Sequence, residues 1–359
     1  MQTGQQFAAG DFAGLDFALT RNLASVWLAA AAQGRPEAAA FEARLGPALA
    51  RLALFDLPEG MPLVGDVSPD CPPSHLACLL PSGARDSGWM GLLPAADRAR
   101  LAALLDRVTP APAEPAEGWL RAAFGPWEGL WHAEPEGWSP MPGHGHQDCG
   151  SFVLHYEGEP LFVDLGRGSY AVAGEDNPDV AAGAHNGLSV ARQDPYPPNR
   201  PYYAPAFRAR VAGPAVLERD EAGIAVAFEG FTRLYRVGMA ERVWRFDGHR
   251  LVLFDRVDGR GRVRQIVVRR LHTPWAVERA EHGGDAGIGA EAVERAEHGA
   301  LILTSPRGRR LRLQATALPP RLQPARQWLA YGESRPVTRI EVEILASLPW
   351  TGRIVIEAL

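Results

Sequence analysis

The sequence predicts an α+β protein, with a short all-α N-terminal part followed by a large antiparallel β-sandwich. Three observations carry that expectation. Apolar residues recur at helical spacing through the first hundred positions. A Pro/Ala segment, Thr109 to Glu117 (TPAPAEPAE), then interrupts the pattern as a linker would. After it the chain breaks into many short apolar or alternating runs separated by Gly, Asp and Pro, the habit of strands and turns. The expected division is residues 1–115 for the helical part and 116–359 for the sandwich.

Phe17 to Ala32 carries an alanine-rich apolar pattern that stops at Gly34, Arg35 and Pro36. Glu37 to Phe55 repeats the helical period, with Leu45, Leu49, Leu52 and Leu54 on or near one face. Gly46 and Pro47 fall inside it and predict a kink or a split. A loop rich in Pro, Gly and Asp is expected from Asp56 to about Ser87, and Pro94 opens a third helix reaching Val108. In the second half, strands are expected at Phe152 to Tyr156, Pro160 to Asp164, Leu251 to Val257, Val263 to Arg269, Leu301 to Thr304, Leu311 to Ala315 and Arg339 to Leu345. Alternation is clearest in Glu241 to Phe246 and Arg353 to Glu357, where one face is to be buried.

The 359 residues are 46% hydrophobic and 22% charged, ordinary for a globular chain with ample core. The net charge of -5 argues against a broad electrostatic grip on nucleic acid. All 37 basic residues are arginine, a bias that a GC-rich genome explains and that would also suit pairing with carboxylate or sulfate. Cys71, Cys78 and Cys149 make neither a disulfide framework nor a zinc-finger spacing. The opening MQTGQQFAAGDFAG shows no basic region followed by an apolar one, so no signal peptide is visible. The longest apolar stretch, near Leu23 to Ala32, is too short for a transmembrane segment.

Chemistry concentrates in residues 143–190. His144 and His146 stand two apart, which in an extended chain puts both on one face. The hairpin that follows can return Asp164 beside His146, and His185 comes after a further loop. Two imidazoles and a carboxylate suit Zn²⁺ with a fourth position left for water. The same residues also suit surface or hairpin-capping positions.

The order GHGHQDCGSF, PLFVDLGRGSY and AHN resembles the C-terminal β-domain signature of the heparinase II/III-like polysaccharide lyases. The resemblance covers residues 119 to about 275. It implies that His146, Asp164 and His185 match ligands of a structural zinc, and that His144 matches a histidine acting at the uronate. Tyr170 matches a tyrosine after the Asp-Gly turn; a packed tyrosine is the competing reading. Asp148 looks like a residue orienting a histidine, and Asn186 like one bonding sugar or, by preference, backbone. Arg200 and Tyr202, in RPYY, are candidates for lining a sugar cleft. GMPLVGDVSPDCPPSHL resembles the end of the family's helical toroid, which makes Asp66 a weaker candidate beside its reading as a turn or cap. His272 reads as a sandwich position without catalytic role, and His75, His132, His155, Trp127 and Trp131 as core, edge or turn.

The function this implies is β-elimination on an acidic, uronate-containing polysaccharide. Few toroid helices are legible, so the competing expectation is a non-catalytic glycan-binding or assembly module. A metal-dependent hydrolase is a weaker third reading, because no paired carboxylates are evident. A partner or dimer completing the helical half is a further expectation. A periplasmic location is suggested by the resemblance alone.

Overall fold

The computed structural model describes residues 13–66, 72–109, 118–134, 145–168, 178–197, 204–211, 213–261, 263–280, 299–316 and 318–359. The helical part holds α1 (Ala13–Ala32), α2 (Ala38–Leu52), the short α3 (Pro73–Leu76) and α4 (Gly88–Gly91), and α5 (Ala95–Leu105). Gly34 ends α1 with φ +63, a left-handed conformation that glycine adopts without steric cost. On α2, Leu45, Leu49 and Leu52 are buried. The break expected at Gly46 and Pro47 is absent: α2 runs through them as one helix. Pro47 lies on its exposed side, where the freed carbonyl can reach water. The loop expected over 56–87 also contains α3, and α4 follows directly after it, both too short to show a helical period.

In chain order the strands are β1 (Trp119–Phe124), β2 (Trp127–His132), β3 (Phe152–Tyr156), β4 (Glu159–Phe162), β5 (Leu188–Val190), β6 (Val216–Arg219), β7 (Gly223–Phe228), β8 (Val237–Asp247), β9 (Arg250–Gly259) and β10 (Arg264–Thr273). β11 (Ala276–Arg279), β12 (Leu301–Thr304), β13 (Arg310–Ala315), β14 (Arg321–Ala330), β15 (Glu333–Ser347) and β16 (Trp350–Ala358) complete them, and α6 (Pro205–Val211) precedes β6. They form three sheets, ordered β1-β2-β3-β4, β14-β15-β10-β5 and β11-β12-β13-β16-β9-β8-β7-β6. Each pairing between these strands is antiparallel. A few helices ahead of large antiparallel sheets is thus the observed architecture.

Two cores divide the molecule. The larger joins all three sheets through Trp127, Trp131, Phe152, Trp244, Leu271 and Ile340. The smaller is helical but reaches into the first sheet, packing Trp119, Leu130 and Val153 against Phe17, Phe55 and Leu79. Strand alternation explains this double use. On β3, Val153 faces the helices while Phe152 and Leu154 face the sandwich.

A buried charge cluster ties the sheets together. Asp255 on β9 accepts from Arg242 Nε on β8 (2.8 Å) and from Arg269 Nε on β10 (2.6 Å). Burial would raise this carboxyl, and the two guanidinium charges outweigh it and hold it low. Arg242 Nη1 also donates to the carbonyls of Gly150 (2.7 Å) and Asn186 (2.6 Å). Gly150 adopts φ +77, and a Cβ there would meet the Phe228 ring at 2.9 Å. The segments carrying His146 and His185 are therefore fastened to the sandwich interior at two backbone points.

Candidate functional site

The site is built where the 145–151 turn, the segment after β4 and the 182–187 turn meet beneath the helical part. His144, Tyr170, Arg200 and Tyr202 lie outside the described residues, as does the linker from residue 110 to 117. His146, Asp148, Asp164, His185 and Asn186 are described, and each is buried.

His185 Nδ1 lies 2.7 Å from Asp164 Oδ2. The other oxygen of Asp164 accepts the Gly166 backbone N–H (2.9 Å), and its carbonyl accepts Gln327 Nε2 (2.8 Å). His185 Nε2 is buried with no hydrogen-bond partner among the described residues. Burial pushes this imidazole down, but the charge and hydrogen bond of Asp164 prevail and raise it to about 9.

His146 repeats the arrangement with a different carboxylate. Its Nε2 lies 3.0 Å from Asp66 Oδ1, contributed by the segment between α2 and α3. Arg167 pairs with the same oxygen. His146 Nδ1 is buried without a partner among the described residues. The two rings stand 5.4 Å apart between centroids. Asp66, read from sequence chiefly as a turn or cap, thus reaches into the site.

Asp148 faces a third histidine: His132 Nδ1 is 3.1 Å from Asp148 Oδ1, and His132 Nε2 is 3.5 Å from Glu134 Oε1. His132 also stacks on Trp119 at 4.1 Å. Burial would raise the Asp148 carboxyl; His132, with His185 and His146 nearby, outweighs it and holds it below the usual carboxylate range. The reading of His132 as a plain core or edge residue missed this contact. No spacing rule links the end of β2 to a turn sixteen residues on.

Asn186 works on backbone. Its amide donates to the carbonyls of Phe152 (2.8 Å) and Val163 (3.0 Å), and its oxygen accepts the His272 N–H (2.7 Å). It therefore staples β3, the end of β4 and β10. His272 takes an Arg339 Nε donor on its own Nε2 (3.1 Å), which fixes the lone pair there. Burial drives its imidazole well below the ordinary value, so it is a neutral structural residue.

Two groups of side chains could hold a cation. The orphaned nitrogens of His146 and His185 are the donor type a zinc ion takes, and each ring is already braced by a carboxylate through its other nitrogen. His146, Asp164 and His185 do not close tightly as a trio. Among the described residues, the set whose ligand atoms all lie within 4.8 Å of one another is His132, Glu134 and Asp148. That buried triad could hold a metal, although carboxylates at both ring nitrogens equally clamp a protonated imidazole. The residues fit a metal by chemistry.

The family model described as Heparinase II/III-like, C-terminal, matches residues 106–347. No curated protein sequence matches this one. Among solved structures, a heparinase III gene product superposes with TM-score 0.63 at 15% identity, covering 100% of this chain and 53% of its own. The heparan sulfate lyase HepC from Pedobacter heparinus gives TM-score 0.62 at 14% identity, again covering 100% of this chain and 53% of its own. At such identities the likeness is one of fold. The chain spans about half the length of these structures.

Proposed function

Since the chain belongs to the heparinase II/III-like family by its C-terminal domain, we propose that it is a polysaccharide lyase-like protein that cleaves an acidic, uronate-containing glycan by β-elimination. The observation that carries this reading is the pair of buried imidazoles, His146 and His185, each braced by a carboxylate and each keeping one nitrogen unpaired among the described residues. Such a site is pre-organised for a ligand that the protein alone does not supply.

β-Elimination requires that the uronate carboxylate be neutralised, the C5 proton removed and the O4 leaving group assisted. Charge grows on the carboxylate as the proton departs, so a cationic or donor group placed there lowers the barrier. His144 is proposed for that position and Tyr170 for proton transfer at C5 or O4, a role that needs hydrogen-bond reach and a matched pKa. His146 and His185, with Asp164, are the proposed zinc-holding residues. Bound there, the ion supplies a fixed positive charge that braces the turn leading back to His144. Asp66 and Arg167 orient His146, and Asp148 holds His132 beneath the same turn.

The test is incubation of the zinc-loaded chain with uronate polymers, following the near-ultraviolet absorbance of the unsaturated product. The expected result is product formation that His146→Ala abolishes together with bound metal. Metal-loaded protein that binds a polymer without forming product would replace this reading with the non-catalytic glycan-binding module.

A further inference from the structure

A cavity of about 320 Å³ opens where the helical part meets the first sheet and β14–β15, and Asp164 is the one residue of the site above that also lines it. Met61 from the segment after α2 and Phe162 from β4 are among its apolar walls. Glu59, Ser74, His155, Asp164, Gln327 and Arg335 are its polar lining, and both Asp164 oxygens are already engaged, by His185 and by the Gly166 N–H.

Two of these side chains, His155 and Arg335, carry the argument. His155 on β3 is only 6% exposed, and its Nδ1 is buried with no hydrogen-bond partner among the described residues. That atom is sealed from any occupant of the cavity, so a ligand would meet the ring through its other nitrogen. Burial, helped by the charge of Arg121, lowers this imidazole to about 4, so the ring is neutral near pH 7. A neutral imidazole offers one N–H and one lone pair, the complement of a hydroxyl. Arg335 is positioned through one edge: its Nε donates to Gln327 Oε1 (2.8 Å), and the Gln327 amide donates to the Asp164 carbonyl (2.8 Å). Its terminal amino groups form the remaining fork, whose spacing matches a carboxylate. Glu59, exposed at the rim, adds an acceptor for hydroxyls and would repel a carboxylate placed at that end. The pattern is one cation held at one edge, one neutral donor–acceptor ring, an acceptor at the rim, an already paired carboxylate and apolar walls.

We propose that this cavity is a second binding site, taking a single uronate residue with its carboxylate on Arg335 and a ring hydroxyl on His155. The choice of a uronate over other small carboxylates rests on the glycan reading above; the pairing with Arg335 and His155 does not. The Gln327 link runs from this cavity to Asp164, which pairs with His185, so the cavity adjoins the buried histidines.

Titration calorimetry of the full chain with D-glucuronate and D-galacturonate, and with D-glucose as the neutral control, tests this. Saturable binding of at least one uronate is expected, at least about tenfold tighter than glucose. Arg335→Gln is expected to weaken it about tenfold or more, and His155→Gln by a few-fold, with circular dichroism and metal content unchanged. Absence of uronate binding, equal affinity for glucose, or binding indifferent to Arg335→Gln with the fold intact would each overturn the proposal. The outcome is separable from the lyase reading. Arg335-dependent uronate binding without any unsaturated product keeps this site and removes the catalytic one; product formation without such binding does the reverse.

Discussion

The two buried histidines are built alike and supported differently. His185 rests on Asp164, and everything that braces Asp164, the Gly166 N–H and the Gln327 amide, comes from the β-domain. His146 rests on Asp66, which belongs to the helical part and is shared with Arg167. One half of the site is thus complete within the sandwich, while the other half exists only when the helical part is docked. The difference teaches that the helical part contributes a carboxylate to the buried histidines as well as packing.

The strongest way to break this comparison is to remove what both halves share. Arg242 holds the carbonyls of Gly150 and Asn186, and its charge is balanced by Asp255. Asp255→Ala strands two arginines in the interior and is expected to cost roughly 3–5 kcal/mol. Urea unfolding would show it, and metal retention at both histidines should fall together. Loss of metal at near-native stability would mean that the cluster matters to the site and not to the sandwich.

A pH experiment probes the seam between the two regions. His155 has an ordinary value near 6.5 unfolded and about 4 folded, so the native state favours the neutral ring. Its contribution is fully present above the unfolded value and is lost as pH falls from there through the folded one. The shift corresponds to roughly 3 kcal/mol at most. His155→Gln should therefore flatten the fall in stability between neutral and mildly acidic pH. An unchanged slope in that variant would assign the acid sensitivity elsewhere.

The carboxylates themselves come next. Asp164→Asn and Asp66→Asn each keep shape and remove the charge that orients a histidine. On the proposed zinc-binding role, Asp66→Asn should weaken metal retention by about 10–100-fold and Asp164→Asn, which also removes a proposed ligand, by at least as much, measured by elemental analysis after graded chelation. The comparison sharpens if mild urea that loosens the helical core reproduces the Asp66→Asn loss and spares the Asp164 half. Equal sensitivity of both halves would show that the docking of the helical part braces the whole site.

Much of this was legible in sequence where one face of an element is buried. The alternation of Glu241 to Phe246 became β8, and the buried Leu45, Leu49 and Leu52 mark the core face of α2. The strands missed have a physical reason. β6 is largely exposed, and β14 carries Pro324 among half-buried residues, so neither shows a clean period of two. Hairpin reasoning expected Asp164 beside His146, whereas the structure hydrogen-bonds Asp164 to His185. Asp66 beside His146 was beyond such reasoning, because eighty residues and a domain seam separate them. His132 was read as core, edge or turn and Glu134 was not singled out, because only the register of β1, β2 and β3 carries the end of β2 to Asp148.

The smallest expected effect serves as the control for Asp66. Glu42 and Arg107 form an ion pair at 3.1 Å within the helical part, with side chains 41% and 63% exposed. Solvent screens such a pair and leaves it worth under about 1 kcal/mol. Glu42→Gln should lower the melting temperature barely at all and leave metal retention unchanged. If it released metal as Asp66→Asn does, the dependence of His146 on the helical part would be one of general stability. If it does not, the buried carboxylate alone makes the connection, and the two halves of the site differ in where their support comes from and in nothing else.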